Sequence, residues 1–173
     1  MKQFPAQFEK FNGDKAKLAE AIGITEKDID DDLPIMYGST GIWTLLIPIK
    51  KLDIFSKMKP ENKRFPEVSA QKPRASVHPF CLETYDENAD MHGRHFSSPF
   101  SGTVEDPVTG TASGVMGAYY ISFIKSLDEK NIAVEQGQEI GKSGMIYVKV
   151  KKEYGNLNVE IKGEAVYAGE IFL

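Results

Sequence analysis

The sequence predicts an α+β domain in which a curved sheet surrounds one buried helix. No charged residue occurs between Ala112 and Ile124, and the large apolar side chains of this segment spread around the whole helical circumference. A helix that is apolar on all sides is typical of a protein core. Apolar and polar residues then alternate at 145–151 and 157–162, which indicates strands with one buried face. We therefore expect strands wrapped around a central helix at about 110–127.

Length and composition favour a single domain over residues 1–173. This length allows one sizeable core, and 41% of the residues are hydrophobic. The net charge of -4 and the scattered basic residues argue against nucleic-acid and membrane binding, since both favour a basic patch. Cys81 is the only cysteine, which excludes an intrachain disulfide. The N-terminus lacks the apolar segment of a signal peptide, so we expect a cytoplasmic protein.

The other elements follow from local patterns. Asp14 suits an N-cap and Gly23 suits the position after a helix, so residues 14–22 are expected to form a short surface helix. Another short helix is expected at 51–59, followed by a mostly irregular segment at 60–74. Strands are expected at 34–49, 76–85, 91–96, 132–135, 145–151, 157–162 and 165–173. Glycines at 38 and 41 interrupt the first of these strands, which indicates a turn or bulge.

Small residues occupy the first turn of the expected central helix. Thr109 or Thr111 suits the N-cap, and Gly110, Ala112 and Gly114 leave little side chain over the free backbone N–H groups. Together with the positive end of the helix dipole, these groups could bind an anionic ligand. The alternative is that the small residues only permit close packing of the helix. The pattern alone does not decide between the two.

Two histidines near the middle of the chain, His92 and His95, invite a metal-binding interpretation. A spacing of three residues suits ligands on one face of a helix, whereas this segment is expected to be extended. No third ligand lies nearby in the sequence. We therefore expect no metal site there, and a structural role for the isolated His78.

The segment at 105–112 reads Glu-Asp-Pro-Val-Thr-Gly-Thr-Ala. It resembles the Glu-Asp-Pro-Ala-Thr-Gly-Ser-Ala signature of the PhzF-like isomerases of phenazine biosynthesis. Further landmarks agree with that family in type and order: Gln3-x-Pro5, Ser39-Thr-Gly41, Arg94-x-Phe96, Glu135-Gln-Gly137, Gly141-Lys-Ser-Gly144 and Gly163-Glu-Ala-Val166. They extend over nearly the whole chain and match only the second half of the family's two-domain proteins.

The resemblance implies one domain of the diaminopimelate-epimerase-like fold, an antiparallel β-barrel or roll closed around the central helix. It also implies a substrate site at the N-terminus of that helix. In the family, the counterpart of Asp106 helps to hold the substrate, and the counterparts of Gly110 and Thr111 bind its carboxylate. The other expected site residues are Ala112, Ser39 and Gly41. A plain bend at 39–41 is the alternative for the last two.

The implied reaction is an isomerisation by proton shift on a small carboxylate, without a cofactor or a metal. One carboxyl group removes a proton and returns it at another carbon, which requires a pKa near the working pH. The family's catalytic Glu lies in its first domain, which has no counterpart here, so no catalytic residue is assigned. Glu105 is expected to be a turn or hinge residue. Because Cys81 stands alone, the two-cysteine mechanism of sibling racemases is excluded.

Two functions of different classes follow. The chain is either half of an isomerase that needs the missing N-terminal domain or a second chain for activity, or a non-catalytic module that binds small anions or assembles with a partner. A nucleotide-binding loop has less support, because the sequence after Gly110 lacks the Lys-Ser/Thr of a phosphate loop. A lone half would expose apolar surface, so we also expect a homo-oligomer, most simply a dimer, or a tight partner.

Overall fold

A computed structural model describes residues 1–164 and Gly169. Apart from that glycine, the strand expected at 165–173 lies outside the described residues. Within them, ten strands form one sheet: β1 (Gln7–Lys10), β2 (Met36–Ser39), β3 (Trp43–Pro48), β4 (Ser76–Cys81), β5 (Met91–Gly93), β6 (His95–Phe96), β7 (Glu105–Asp106), β8 (Glu129–Gln136), β9 (Gly144–Glu153) and β10 (Asn156–Gly163).

The sheet is mixed, with neighbours in the order β1-β2-β3-β4-β5-β8-β9-β10, while β6 pairs with both β4 and β7. Two of these pairings, β3 with β4 and β5 with β8, are parallel, so the wholly antiparallel arrangement expected from the sequence is wrong in this respect. Both parallel pairs are joined by long connections that contain helices, which is the kind of crossover a parallel pair needs.

The two ends of the sheet meet and nearly close it into a barrel. The backbone N–H groups of Gln3 and Ala6 donate to the carbonyls of Val159 and Leu157, each at 2.9 Å. The segment before β1 therefore runs beside β10, and the same stretch of chain continues as β1 beside β2. The predicted barrel closed around a helix is confirmed, and this closure leaves few unpaired strand edges.

The central helix α3 spans Gly110–Tyr119 and continues as a π-helix over Tyr120–Ile124. It ends before the expected position 127, where Leu127 N donates to Ile121 O at 3.0 Å. Val115, Met116 and Tyr119 are completely buried. The prediction of a helix apolar on all sides inside the barrel is thus confirmed.

A second core lies on the opposite face of β2–β4, under the helices α1 (Lys15–Ala21) and α2 (Phe65–Val68). Leu45 and Ile47 of β3 face this core, whereas Leu46 between them faces α3. Because successive side chains of a strand point to opposite faces of the sheet, β3 contributes residues to both cores. Asp14 caps α1 as predicted, accepting hydrogen bonds from the N–H groups of Ala16 at 2.9 Å and Lys17 at 3.1 Å.

Several element bounds differ from the expectations. The helix expected at 51–59 is a 3-10 turn, Leu52–Lys57, and the segment 60–74 contains another at Asn62–Arg64 as well as α2. The turn expected between two strands within 34–49 is confirmed, since it joins β2 to β3. The strand expected at 91–96 is instead divided into β5 and β6 at Arg94. The remaining 3-10 turns are Glu26–Asp28 and Gln138–Ile140. Among the described residues, no helix combines the length and apolarity needed to cross a membrane.

Candidate functional site

A cavity of about 380 Å³ opens beside the N-terminus of α3. Three of the predicted site residues line it: Asp106 at the end of β7, and Thr111 and Ala112 in the first turn of α3. Its other lining includes His95 of β6 and Ser98 in the loop that follows. Because β7 pairs with β6 in the register Asp106 opposite His95, the short β6–β7 pair and the helix terminus form one pocket.

The other three predicted residues do not line this cavity. Ser39, the last residue of β2, accepts at Oγ a hydrogen bond from Gly41 N at 3.1 Å, so the pair shapes the turn between β2 and β3. The residue between them, Thr40, donates from its hydroxyl to Thr111 O at 3.2 Å and joins that turn to the start of α3. The bend interpretation of 39–41 thus describes what Ser39 and Gly41 do here. A part in substrate binding stays a prediction for all six residues.

Gly110 and two further glycines of α3 pack against the strands β9 and β10. A Cβ atom at Gly110 would lie 2.6 Å from Ile161 Cδ1, one at Gly114 would lie 3.2 Å from Val159 Cγ1, and one at Gly117 would lie 2.6 Å from Val148 Cγ1. Close packing therefore accounts for the glycines. Anion binding is compatible with it, because the N–H groups of residues 110–112 have no acceptor among the described residues.

The loop before α3 is held by side chains on both sides. Thr109 occupies the N-cap position, as one alternative expected, but its hydroxyl donates to Asp106 Oδ2 at 2.6 Å and does not cap the helix. Gln136 at the end of β8 donates from Nε2 to Asp106 O at 2.6 Å, and its Oε1 accepts from Thr109 N at 3.3 Å. Gly137 follows with φ 92°, and a Cβ there would lie 2.7 Å from Pro107 O. These contacts fix the position of the Asp106 carboxylate.

A buried ion pair attaches β7 to its neighbour. Arg94 Nε and Nη2 donate to the two carboxylate oxygens of Glu105 at 2.8 and 2.7 Å, and Nη1 donates to Phe55 O at 2.8 Å. The turn or hinge role expected for Glu105 is therefore wrong: it lies in β7 and makes a two-point pair with arginine. Such planar pairs give strong geometric specificity, so this one sets the position of Asp106, the next residue.

Two buried histidines meet behind the cavity. Nδ1 of His95 lies 3.1 Å from Nδ1 of His78. Burial lowers the pKa of His95 to about 4, although the nearby Asp106 carboxylate raises it. Burial, followed by the charges of His95 and His92, places the pKa of His78 well below its ordinary value. Both rings are therefore neutral at pH 7.

His92 has different partners. Its Nδ1 lies 3.0 Å from Glu135 Oε1, and its Nε2 lies 3.1 Å from Glu139 Oε1. Glu135 also accepts from the N–H groups of Tyr85 and Asp86 at 2.7 and 2.9 Å. Burial raises the pKa of Glu139, but the hydrogen bond and charge of His92 outweigh it and lower that pKa on balance. The described residues contain no group of three or more side chains placed to hold a metal ion.

Sequence reasoning missed the contribution of His95 and Gln136. Gln136 belongs to a motif that was recognised, but nothing in the sequence reveals that its side chain reaches a loop near residue 106. His95 occupies the variable position of Arg94-x-Phe96. No sequence signal distinguishes it from a structural histidine, because its environment depends on the pairing of β6 with β4 and β7.

Known proteins resemble this chain over nearly its whole length. Residues 1–170 match the family model described as phenazine biosynthesis-like protein. An uncharacterized isomerase of Bacillus subtilis is 52% identical over 97% of this chain and 57% of the relative. A trans-2,3-dihydro-3-hydroxyanthranilate isomerase of Pseudomonas fluorescens is 23% identical over 91% of this chain and 52% of the relative. The chain thus spans little more than half the length of these relatives.

Solved structures show the same fold. A phenazine biosynthesis protein of the PhzF family from Bacillus anthracis superposes with a TM-score of 0.95 at 53% identity, covering 98% of this chain and 58% of that chain. A protein described as a predicted epimerase from Pseudomonas aeruginosa gives a TM-score of 0.67 at 23% identity, covering 95% of this chain and 56% of that chain. By its fold, its signature loop and these likenesses, the chain belongs to the phenazine biosynthesis-like PhzC-PhzF family.

Proposed function

We propose that this chain is part of a PhzF-like isomerase that shifts a proton between two carbons of a small carboxylate without an external cofactor. The observation that supports this most is the cavity in which Asp106 lies beside the unpartnered N–H groups of α3. Relatives named isomerases, among them one that acts on trans-2,3-dihydro-3-hydroxyanthranilate, give the reaction class.

The cavity suits a small anion with a hydrogen-bond donor. Helix N-termini attract carboxylates through free N–H groups and the helix dipole, and Thr111 adds a hydroxyl at this point. Asp106 is the only carboxylate that the described residues contribute to the lining, so it would orient an amine or hydroxyl of the same molecule. A volume of about 380 Å³ is at the small end for ligand pockets, which favours a ligand that is acyclic or has a single ring.

Proton transfer needs a group that this cavity does not offer. Its ionisable lining among the described residues consists of Asp106, His95 and Arg74, and the Asp106 carboxylate already accepts from Thr109. We therefore propose that the proton-moving carboxyl comes from the part of the relatives that these residues do not match, or from a second chain. Three large apolar side chains near the cavity, Phe4, Ile42 and Phe100, are 63 to 73% exposed. The domain or chain that supplies the carboxyl would cover them.

Reconstitution tests the proposal. The chain would be co-expressed with the part of the Bacillus subtilis relative that it does not match, and incubated in deuterated water with trans-2,3-dihydro-3-hydroxyanthranilate. We expect deuterium incorporation by NMR in the mixture, none with either part alone, and a large loss with Asp106→Asn. Absence of exchange with this and other small cyclic or amino-acid carboxylates, in a pair shown to associate, would refute the isomerase function.

The second candidate is a non-catalytic module that binds small anions or assembles with a partner. The unpartnered helix terminus favours it, because anion binding needs no second domain. It predicts that the isolated chain binds 3-hydroxyanthranilate in calorimetry, that Asp106→Asn weakens this binding, and that every reconstituted pair is inactive. Gly110→Val is a poor probe here, since it would also collide with Ile161.

Self-association is a further part of the proposal. The exposed apolar side chains around the cavity predict a homo-oligomer, most simply a dimer, or a tight complex with the part of the relatives that these residues do not match. Sedimentation velocity at increasing concentration measures this directly. If the chain stays monomeric at high concentration, self-association is contradicted. The expected partner is then a different chain.

A further inference from the structure

His95 lines the cavity from β6, outside the signature loop. It is only 9% exposed. One ring nitrogen, Nδ1, is engaged by His78 at 3.1 Å. The other, Nε2, has no hydrogen-bond partner among the described residues. A neutral histidine presents either a donor or an acceptor at such a nitrogen, depending on its tautomer.

The surroundings of His78 select the tautomer. The Nδ1–Nδ1 contact requires one ring to donate and the other to accept. Nε2 of His78 is buried without a partner and faces Gly93, where a Cβ would lie only 2.7 Å away. A buried N–H without an acceptor is rarer than a buried acceptor without a donor. If His78 Nε2 carries a lone pair, that lone pair can accept a weak hydrogen bond from the C–H of Gly93. His78 therefore carries its proton on Nδ1 and donates to His95.

With Nδ1 accepting, His95 carries its proton on Nε2 and offers a donor to the cavity. Burial keeps the ring neutral at pH 7, since it lowers the pKa to about 4 despite the Asp106 charge. A second polar side chain points to the same ligand chemistry. Ser98 also lines the cavity, is 9% exposed, and its hydroxyl has no partner among the described residues. Buried polar groups normally have partners, so the buried Ser98 hydroxyl is left to pair with a ligand, beside the unpaired Nε2–H of His95.

We propose that His95 binds an acceptor oxygen of the ligand through Nε2–H, with His78 as the positioning residue that fixes its tautomer. This rests on the proposed function, since it concerns the same cavity. The proposal narrows the ligand class to carboxylates that also carry an amine or hydroxyl. The carboxylate oxygens of such a ligand accept from His95 and Ser98, while its amine or hydroxyl donates to Asp106.

The tautomers can be observed without any ligand. The chain has three histidines, so ¹⁵N-resolved NMR of the imidazole rings at pH 7 is readily assigned with single variants. We expect His95 as the neutral Nε2–H form and His78 as the neutral Nδ1–H form. In His78→Asn, the asparagine amide still donates to His95, so His95 keeps its Nε2–H form. His78→Leu removes the donor, and the tautomer of His95 can then shift. Observation of His95 as the Nδ1–H form, or protonated, overturns the proposal.

Binding is tested with 3-hydroxyanthranilate, which carries a carboxylate, an amine and a hydroxyl. The amide nitrogen of glutamine reaches the Nε2 position, whereas that of asparagine reaches only the Nδ1 position, so the two form a matched pair. We expect Kd to rise about tenfold in His95→Asn, as for one lost hydrogen bond, and less in His95→Gln. The ¹⁵Nε2 resonance of His95 should shift on titration.

The outcomes separate this inference from the function on which it rests. Equal affinity of wild type and His95→Asn, together with weakened binding by Asp106→Asn, refutes the role of His95 alone. A wild-type chain that binds no carboxylate refutes both the binding site and the contact. A tenfold loss in His95→Asn in a reconstituted pair without proton exchange supports the contact and refutes the isomerase function.

Discussion

Close packing of α3 inside the barrel gives a quantitative prediction for Gly117→Ala. A Cβ atom at Gly117 would lie 2.6 Å from Val148 Cγ1 and 3.1 Å from Val150 Cγ2. Both contacts belong to β-branched side chains with little freedom to move. Overpacking costs about 1 to 3 kcal/mol, and alanine recovers about 1 kcal/mol of helix propensity. We expect a net loss of up to about 2 kcal/mol in the free energy of unfolding.

Urea unfolding followed by circular dichroism measures this loss as a lower midpoint at unchanged slope. Gly163→Ala is the matched control, because a Cβ there meets nothing within 4 Å, and it should change stability by less than about 0.5 kcal/mol. Val148→Ala removes the colliding methyl groups, so the double variant should lose about 1 kcal/mol less than the sum of the single changes.

The reasoning fails if Gly117→Ala is more stable than the wild type by the full helix-propensity gain of about 1 kcal/mol, since the added methyl group would then meet no collision with Val148. Strict additivity in the double variant would also contradict it. In that case the loss would come from somewhere other than the contact with Val148.

Three further predictions concern the site. Glu105→Gln leaves Arg94 buried without a carboxylate, so unfolding free energy should fall by about 3 kcal/mol; an unchanged thermal midpoint would contradict this. Gln136→Leu removes both hydrogen bonds to the loop that carries Asp106, and calorimetry should show about tenfold weaker binding of 3-hydroxyanthranilate; wild-type affinity would mean that the loop holds its position alone. The lowered pKa of His95, from 6.5 to about 4, means that the unfolded chain binds more protons in this interval. Stability is therefore complete above pH 6.5 and falls by up to about 3 kcal/mol as the pH drops to about 4; urea titrations at several pH values should show a shallower fall for His95→Gln, and parallel curves would count against the assignment.

The features predicted from the sequence are those with a local or periodic cause. The charge-free run that contains Val115 and Met116 indicated a helix buried on all sides, and both residues are fully buried inside the barrel. Asp14 was recognised as a cap because an N-cap bond reaches only two or three residues along the chain. The signature loop was found through its residues, and Asp106 does line the cavity.

Features that depend on distant pairing were not predictable in the same way. Alternation tells which face of a strand is buried but not the direction of its neighbour, so the parallel pairing of β3 with β4 was missed. β6 and β7 are two residues long each, too short for any periodicity. Glu105 was assigned to a turn because its partner, Arg94, becomes adjacent only when those strands pair.

The closure of the barrel also bears on the order of folding. Met1 and Ile161, 160 residues apart, exchange backbone hydrogen bonds at the closing edge. Contacts between residues so far apart in sequence form late and slow folding, because the entropy of closing the loop is lost before the contacts can stabilise the chain. The segment before β1 leaves the ribosome well ahead of β10, and until that strand follows, its unpaired backbone groups are open to other chains. The segment before β1 is thus among the last of the described segments to reach its native strand partner.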